Sequence, residues 1–307
     1  APPAKPGGDY KVTSVYLAPE KIPGVNAKKG TKPVFGSREI FEELREKMKA
    51  EGSDLLLLIH GFSSNFTDAL ERAAQLKQEY QAFGRTLEVA VFSWPSDGEM
   101  IPHISYHRDR DDAKASGPAI TRAFFKLLEY FADLKKQEFC WRQLHLVAHS
   151  MGNYALRHAV QGIVSQFGGK TLPRVFQNVF LMAADEDHDA LELDFKLARL
   201  PELAEAVHVY HSTGDGALRV SDLTKGNPDR LGTAGPRTLT DLPLKIVLVD
   251  CRNVDATSPI ADLCHQYYRK RSEVVADIRQ VLAGLPPDKI LDRDYIPEKR
   301  SYRIRAR

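Results

Sequence analysis

Ser150 follows the apolar run Leu144-His145-Leu146-Val147 and stands in Ala148-His149-Ser150-Met151-Gly152, a small-x-Ser-x-Gly pattern with a helix-like segment after it. A strand that turns at once into a helix forces the serine onto a tight turn with its hydroxyl exposed. The spacing predicts that positions 148 and 152 are small because the turn brings neighbouring backbone close. The Met151 N–H, at the start of the new helix, is expected to point at any oxygen that develops charge beside Ser150.

A serine hydroxyl is a weak nucleophile near neutrality and needs a base, itself oriented by a carboxylate. In hydrolases built on such an elbow the chain order is Ser, acid, His. Of the ten histidines, only His265 follows the run 244–250 that reads as the final strand. It is therefore the candidate base; capping a helix or lying at the surface would be the ordinary use of a lone histidine, but its unique position favours the catalytic role. Asp215, in Gly214-Asp215-Gly216 just past a predicted strand, is the first candidate for the acid. An Asx-turn or cap would be its ordinary use, and Asp185 and Asp187 are rival acids. A second oxyanion donor is expected at Phe62, where Gly61 permits a close turn after the strand ending in His60. His60 itself reads as a loop-holding residue. Trp94 fits either a pocket floor or the core.

The elements that must position these groups follow a βα rhythm. Strands are expected over 9–18 (an edge), 54–60, 86–94, 144–148, 175–184, 206–212 and 244–250. Helices are expected over 38–50, 67–83, 112–137, 151–167, 190–200 and 272–285, with a loop over 95–111. The continuous apolar strands predict a parallel sheet covered on both faces. The whole reads as one doubly wound α/β domain over 9–290, mostly parallel and twisted, with no large cap domain. Residues 1–8 are Pro/Gly-rich and expected to be disordered; 291–307 reads as a basic, solvated tail.

A net charge of +2, from 43 Lys+Arg against 41 Asp+Glu, does not favour nucleic acid as a partner. Three cysteines without metal-like spacing suggest neither a disulfide framework nor a zinc site, so no cofactor or metal is expected. No run approaches the length of a membrane span. The lack of a hydrophobic leader fits either a cytoplasmic protein or one whose targeting segment has been removed. Arg108 and Arg110, among Asp109, Asp111 and Asp112, read as solvated ion pairs.

These motifs resemble the α/β-hydrolase superfamily, and more narrowly a bacterial esterase/lipase-like group long labelled a domain of unknown function (DUF900). The resemblance is carried by Ile59-His60-Gly61-Phe62, Phe92-Ser93-Trp94-Pro95-Ser96, Tyr106 with Asp109-Arg110, Ala148 to Asn153, Ala183-Ala184-Asp185, Gly214 to Leu218, and His265. It implies an α/β-hydrolase fold with Ser150, Asp215 and His265 as a triad. Phe62 and Met151 would then form the oxyanion hole, and Gly61, Trp94, Tyr106, His149 and Asp185 would surround the substrate. The expected activity is hydrolysis of small or short-chain carboxylic esters. A thioesterase or amidase with the same triad, and a non-catalytic binding module on this scaffold, are the alternatives.

Overall fold

The computed structural model describes residues 15–306 apart from 22, 25, 27, 29, 31, 32, 34, 82, 83, 85, 99–103, 220–228 and 256–262. An eight-stranded sheet runs through it in the order β2-β1-β3-β4-β5-β6-β8-β7. The strands are β1 (Asp54–Ile59), β2 (Leu87–Phe92), β3 (Leu144–His149), β4 (Phe176–Met182), β5 (Ala204–His211), β6 (Ile246–Asp250), β7 (Arg293–Ile296) and β8 (Ser301–Ile304). All neighbours pair in parallel except β7, which is antiparallel to β8. The longer helices are α1 (Gly36–Glu51), α2 (Phe66–Glu79), α3 (Ile104–Asp133), α4 (Gly152–Phe167) and α5 (Ser272–Leu282).

The continuous apolar strands are buried from both sides. One core gathers Ile59, Ala148 and Leu181 of the sheet with Phe124 of α3 and Ala155 and Leu156 of α4. The other joins Leu56, Leu58 and Phe180 to Leu76 of α2 and Val274 and Ile278 of α5. After β1 the chain goes through α2 to the outer neighbour β2; after α3 it returns to β1's other side as β3. Strand order therefore reverses at β1, and α2 and α4 leave the sheet on opposite faces. The crevice at the carboxyl ends of β1 and β3 is where ligands collect in open sheets of this kind.

Four expectations are corrected. Of the strand expected over 9–18, residues 9–14 lie outside the described residues and 15–18 have no strand structure. The loop expected over 95–111 ends early, because α3 begins at Ile104. Its first turns are buried through Ser105 and Asp109 as well as Tyr106 and Ala113, so polar side chains interrupt the apolar period there. Residues 190–199 form turns instead of a helix, drawn in by Lys196, which pairs with Asp187 at 2.8 Å and with Asp189. The basic stretch 291–307 contains β7 and β8, which extend the sheet beyond β6. Its Arg293 is buried and bonds Asp277 of α5 at 2.5 and 2.7 Å, while Tyr210 of β5 donates to the same carboxylate at 2.5 Å. Among the described residues, no helix is long and apolar enough to cross a membrane.

Candidate active site

β3 ends at His149, and Ser150 takes a left-handed backbone conformation with φ 52°. That conformation is costly for a residue with a side chain and persists only where its surroundings hold it. Here they do. The Ser150 N–H donates to Met182 O at 2.9 Å, and its carbonyl accepts from the backbone N–H groups of Asn153 (3.0 Å) and Asp185 (3.2 Å). Asn153 Nδ2 adds a further bond to that carbonyl and one to Ala148 O, each 3.0 Å.

Close approach explains the small residues. A Cβ on Gly152 would lie 2.5 Å from both His60 O and Ile59 O, and one on Gly61 would lie 2.8 Å from Ser150 Cβ. The β1 and β3 ends are thus pressed together. Five of the eight described non-glycine residues with positive φ surround this crevice: Ser63, Ser150, Ala183, Leu263 and Cys264.

Asp215 and His265 meet. His265 Nδ1–H donates to Asp215 Oδ2 at 2.7 Å, and Asp215 is fully buried. Asp215 Oδ1 accepts the Leu218 N–H at 3.0 Å, so one carboxylate both caps the following turn and fixes the imidazole. The Gly216 N–H bonds Leu263 O at 2.8 Å, tying the acid loop to the histidine loop. Burial pulls the His265 pKa down, but the charge and hydrogen bond of Asp215, aided by the charge of Asp185, outweigh it and raise the net value. Asp187 is instead bound to Arg230 (2.6 Å) and Lys196.

His265 is also fastened to the residue before the elbow. His149 Nε2–H donates to the His265 carbonyl at 3.1 Å, the two rings lie 4.8 Å apart, and Tyr268 covers the other side of His149 at 4.5 Å. Burial, with the neighbouring charges of His265 and Arg72, holds His149 neutral far below the usual histidine range. Among the described residues no hydrogen bond joins Ser150 Oγ to the imidazole. In free enzymes such contacts are often long and tighten with substrate bound.

The Phe62 and Met151 N–H groups donate to no protein acceptor among the described residues. His60 clamps the loop that carries Phe62. Its Nδ1–H donates to Gly61 O at 3.0 Å, its Nε2 accepts the Trp94 N–H at 3.1 Å, and Trp94 Nε1–H returns a bond to His60 O at 2.7 Å. The two rings stack 5.1 Å apart. Burial lowers His60 to about 4, in keeping with a neutral ring that accepts at Nε2. Trp94 is thus a core residue.

Tyr106 and Asp185 lie beside the elbow. Tyr106 Oη donates to Asp185 Oδ2 at 2.5 Å, and the Tyr106 ring packs 5.8 Å from that of Phe62. Two residues read as solvated are built in. Asp109 is buried and accepts from Ser63 N–H (3.2 Å), Asp97 N–H (3.3 Å) and Ser96 Oγ. Arg110 lies over the Tyr154 ring at 3.6 Å and reaches Asp185 at 3.9 Å. Arg108 alone keeps an exposed pair, with Asp97. The signal for the buried pair was available: Tyr106, Asp109, Arg110 and Ala113 fall on one face at helical spacing. No group of His, Cys, Asp or Glu suited to holding a metal ion occurs among the described residues.

A family model described as "Alpha/beta hydrolase of unknown function (DUF900)" matches residues 37–284. The chain is similar to an uncharacterized protein of Nostoc sp. (strain PCC 7120), alr1448, with 26% identity over 161 residues. That match covers 44% of this chain and 39% of the relative, so the chain spans well under half of that protein's length. No solved structure matches it.

Proposed function

Because this chain belongs to the alpha/beta hydrolases of unknown function (DUF900), we propose that it is a serine carboxylesterase acting through an acyl-enzyme on Ser150. The observation that carries this reading is the buried 2.7 Å bond from His265 Nδ1–H to Asp215, fastened through His149 to the strained turn at Ser150.

With Nδ1–H committed to Asp215, His265 Nε2 is the basic nitrogen, and it takes the Ser150 proton as Oγ attacks the ester carbonyl. The tetrahedral oxyanion is bound by the Phe62 and Met151 N–H groups, one from the β1 loop and one from the elbow. His265 then protonates the departing alcohol. A water, deprotonated by the same nitrogen, attacks the acyl group; the acid is released as His265 returns that proton to Ser150 Oγ. Asp215 keeps the imidazole in the productive tautomer and balances its transient positive charge. The turns between β4 and β5 offer little to enclose a long acyl chain, which favours small or short-chain esters.

The test is hydrolysis of p-nitrophenyl acetate and butyrate, together with labelling by a fluorophosphonate. Both should disappear in Ser150→Ala while the folded state persists. Unchanged turnover in Ser150→Ala would remove Ser150 from the mechanism. A wild-type protein that never labels would return the chain to the status of a binding module. Ester, thioester and amide analogues of matched acyl length identify the leaving group.

A further inference from the structure

A cavity of about 340 Å³ lies at the opposite edge of the sheet from Ser150, where Leu55 and Leu144 at the amino ends of β1 and β3 meet α1 and α3. We propose that it binds an amphipathic carboxylate, of the fatty-acid class, with the hydrocarbon chain in the cavity and the head group on Arg142.

The volume falls within the range of small-molecule sites, roughly 300–1,000 Å³. The walls come from apolar side chains of α1 and α3, among them Leu44, Met48, Leu127 and Phe131. Charge decides the kind of occupant. Three arginines line the cavity and no aspartate or glutamate does. Two of them are already engaged: Arg45 with Glu42, Glu46 and Tyr130, and Arg174 with Glu205. Arg142, exposed at the rim, has neither an ion pair nor a hydrogen bond among the described residues. A guanidinium fork with no partner, beside an apolar cleft, matches the planar acceptor of a carboxylate.

Trp141 is the second observation. It is 75% exposed and holds a left-handed backbone with φ 55°, its ring 5.5 Å from that of Phe139, another lining residue. A large apolar side chain kept in water by a strained backbone at a cavity mouth is the arrangement a ligand would cover.

The test uses decanoate and, as its uncharged counterpart, 1-decanol, with calorimetry and acrylamide quenching of tryptophan fluorescence. Trp94 is buried, so the quenchable signal belongs to Trp141. Decanoate should bind and protect Trp141. In Arg142→Ala, a surface substitution, its affinity should fall by about tenfold or more, with that of decanol unchanged. The proposal is overturned if millimolar decanoate does not bind, if decanol binds as tightly, or if Arg142→Ala has no effect on decanoate. Competitive inhibition of ester hydrolysis that survives Arg142→Ala would place the acid in the catalytic crevice instead. Protection of Trp141 that grows with protein concentration alone would make the occupant a second copy; either result also overturns it.

Discussion

Replacing Asp215 by Asn leaves the shape of the site nearly intact and reverses one proton. In the native arrangement Oδ1 accepts from Leu218 N–H and Oδ2 accepts from His265 Nδ1–H. The asparagine oxygen can keep the Leu218 bond, which turns its NH2 toward the imidazole. Two donors cannot face each other, so His265 must move its proton to Nε2. That nitrogen then has no lone pair for the Ser150 proton. In triads of this type the wrong tautomer costs about 10⁴ in kcat, or about 5.5 kcal/mol of transition-state stabilisation. The pH profile carries a second signature. On the proposed mechanism, wild-type activity should rise as His265 loses its proton, at a pKa above the ordinary 6.5 because Asp215 outweighs burial. Without the carboxylate, burial dominates and the acidic limb moves to lower pH. Stability follows by linkage. A raised folded pKa gives stabilisation that is complete below the unfolded value and is lost as pH climbs through the folded one. Asp215→Asn should therefore lower Tm more at about pH 6 than at about pH 9. The assay is p-nitrophenyl acetate hydrolysis across pH, with thermal melts on the same samples. Turnover above a tenth of wild type, or an acidic limb that stays in place, would refute the reasoning.

Gly61→Ala forces a Cβ to within 2.8 Å of Ser150 Cβ; thermal denaturation should register a loss of about 1–3 kcal/mol, with turnover falling alongside. His149→Leu leaves the His265 carbonyl without its donor, a cost of about 1–3 kcal/mol, whereas His149→Gln retains a donor and should keep more activity; equal kcat values for the two would exclude a positioning role. Asp277→Ala strands the buried Arg293 guanidinium, and urea unfolding should lose about 3–5 kcal/mol. Stability unaltered by that change would mean that the Arg293–Asp277 pair does not anchor β7 and β8 to the rest of the fold.

The parts legible in the sequence were those set by local rules. The elbow announced itself through an apolar strand ending in Ala148-His149-Ser150-Met151-Gly152; chain order singled out His265, and a Gly-flanked turn past a strand put Asp215 ahead of its rivals Asp185 and Asp187. The central strands are continuous apolar runs because both of their faces are covered. What escaped depends on partners distant in sequence. β7 and β8 read Arg-Asp-Tyr-Ile and Ser-Tyr-Arg-Ile, with no apolar period, and become strands because Arg293 finds Asp277 and Tyr210 on elements already in place. The first turns of α3 hid behind their charges for the same reason. Asp109 is polar in composition yet interior in position, since it accepts the Ser63 and Asp97 N–H groups of two loops. Residues 190–199 had a helical pattern that Lys196 overrode by turning inward to two carboxylates.

Among the described residues, the two flanks of the sheet are each finished with paired charges. On β2, Glu88 receives Lys47 from α1 and Lys77 from α2 at 2.9 and 2.7 Å; on β7, Asp294 holds Arg305 at 2.6 Å. A foreign strand that tried to zip onto either margin would meet those charges, one of the ways natural sheets resist growing into aggregates. The hairpin therefore works as a hem: cut away, it would leave the apolar β6 as a raw border, and the protein would gain stickiness as well as lose stability.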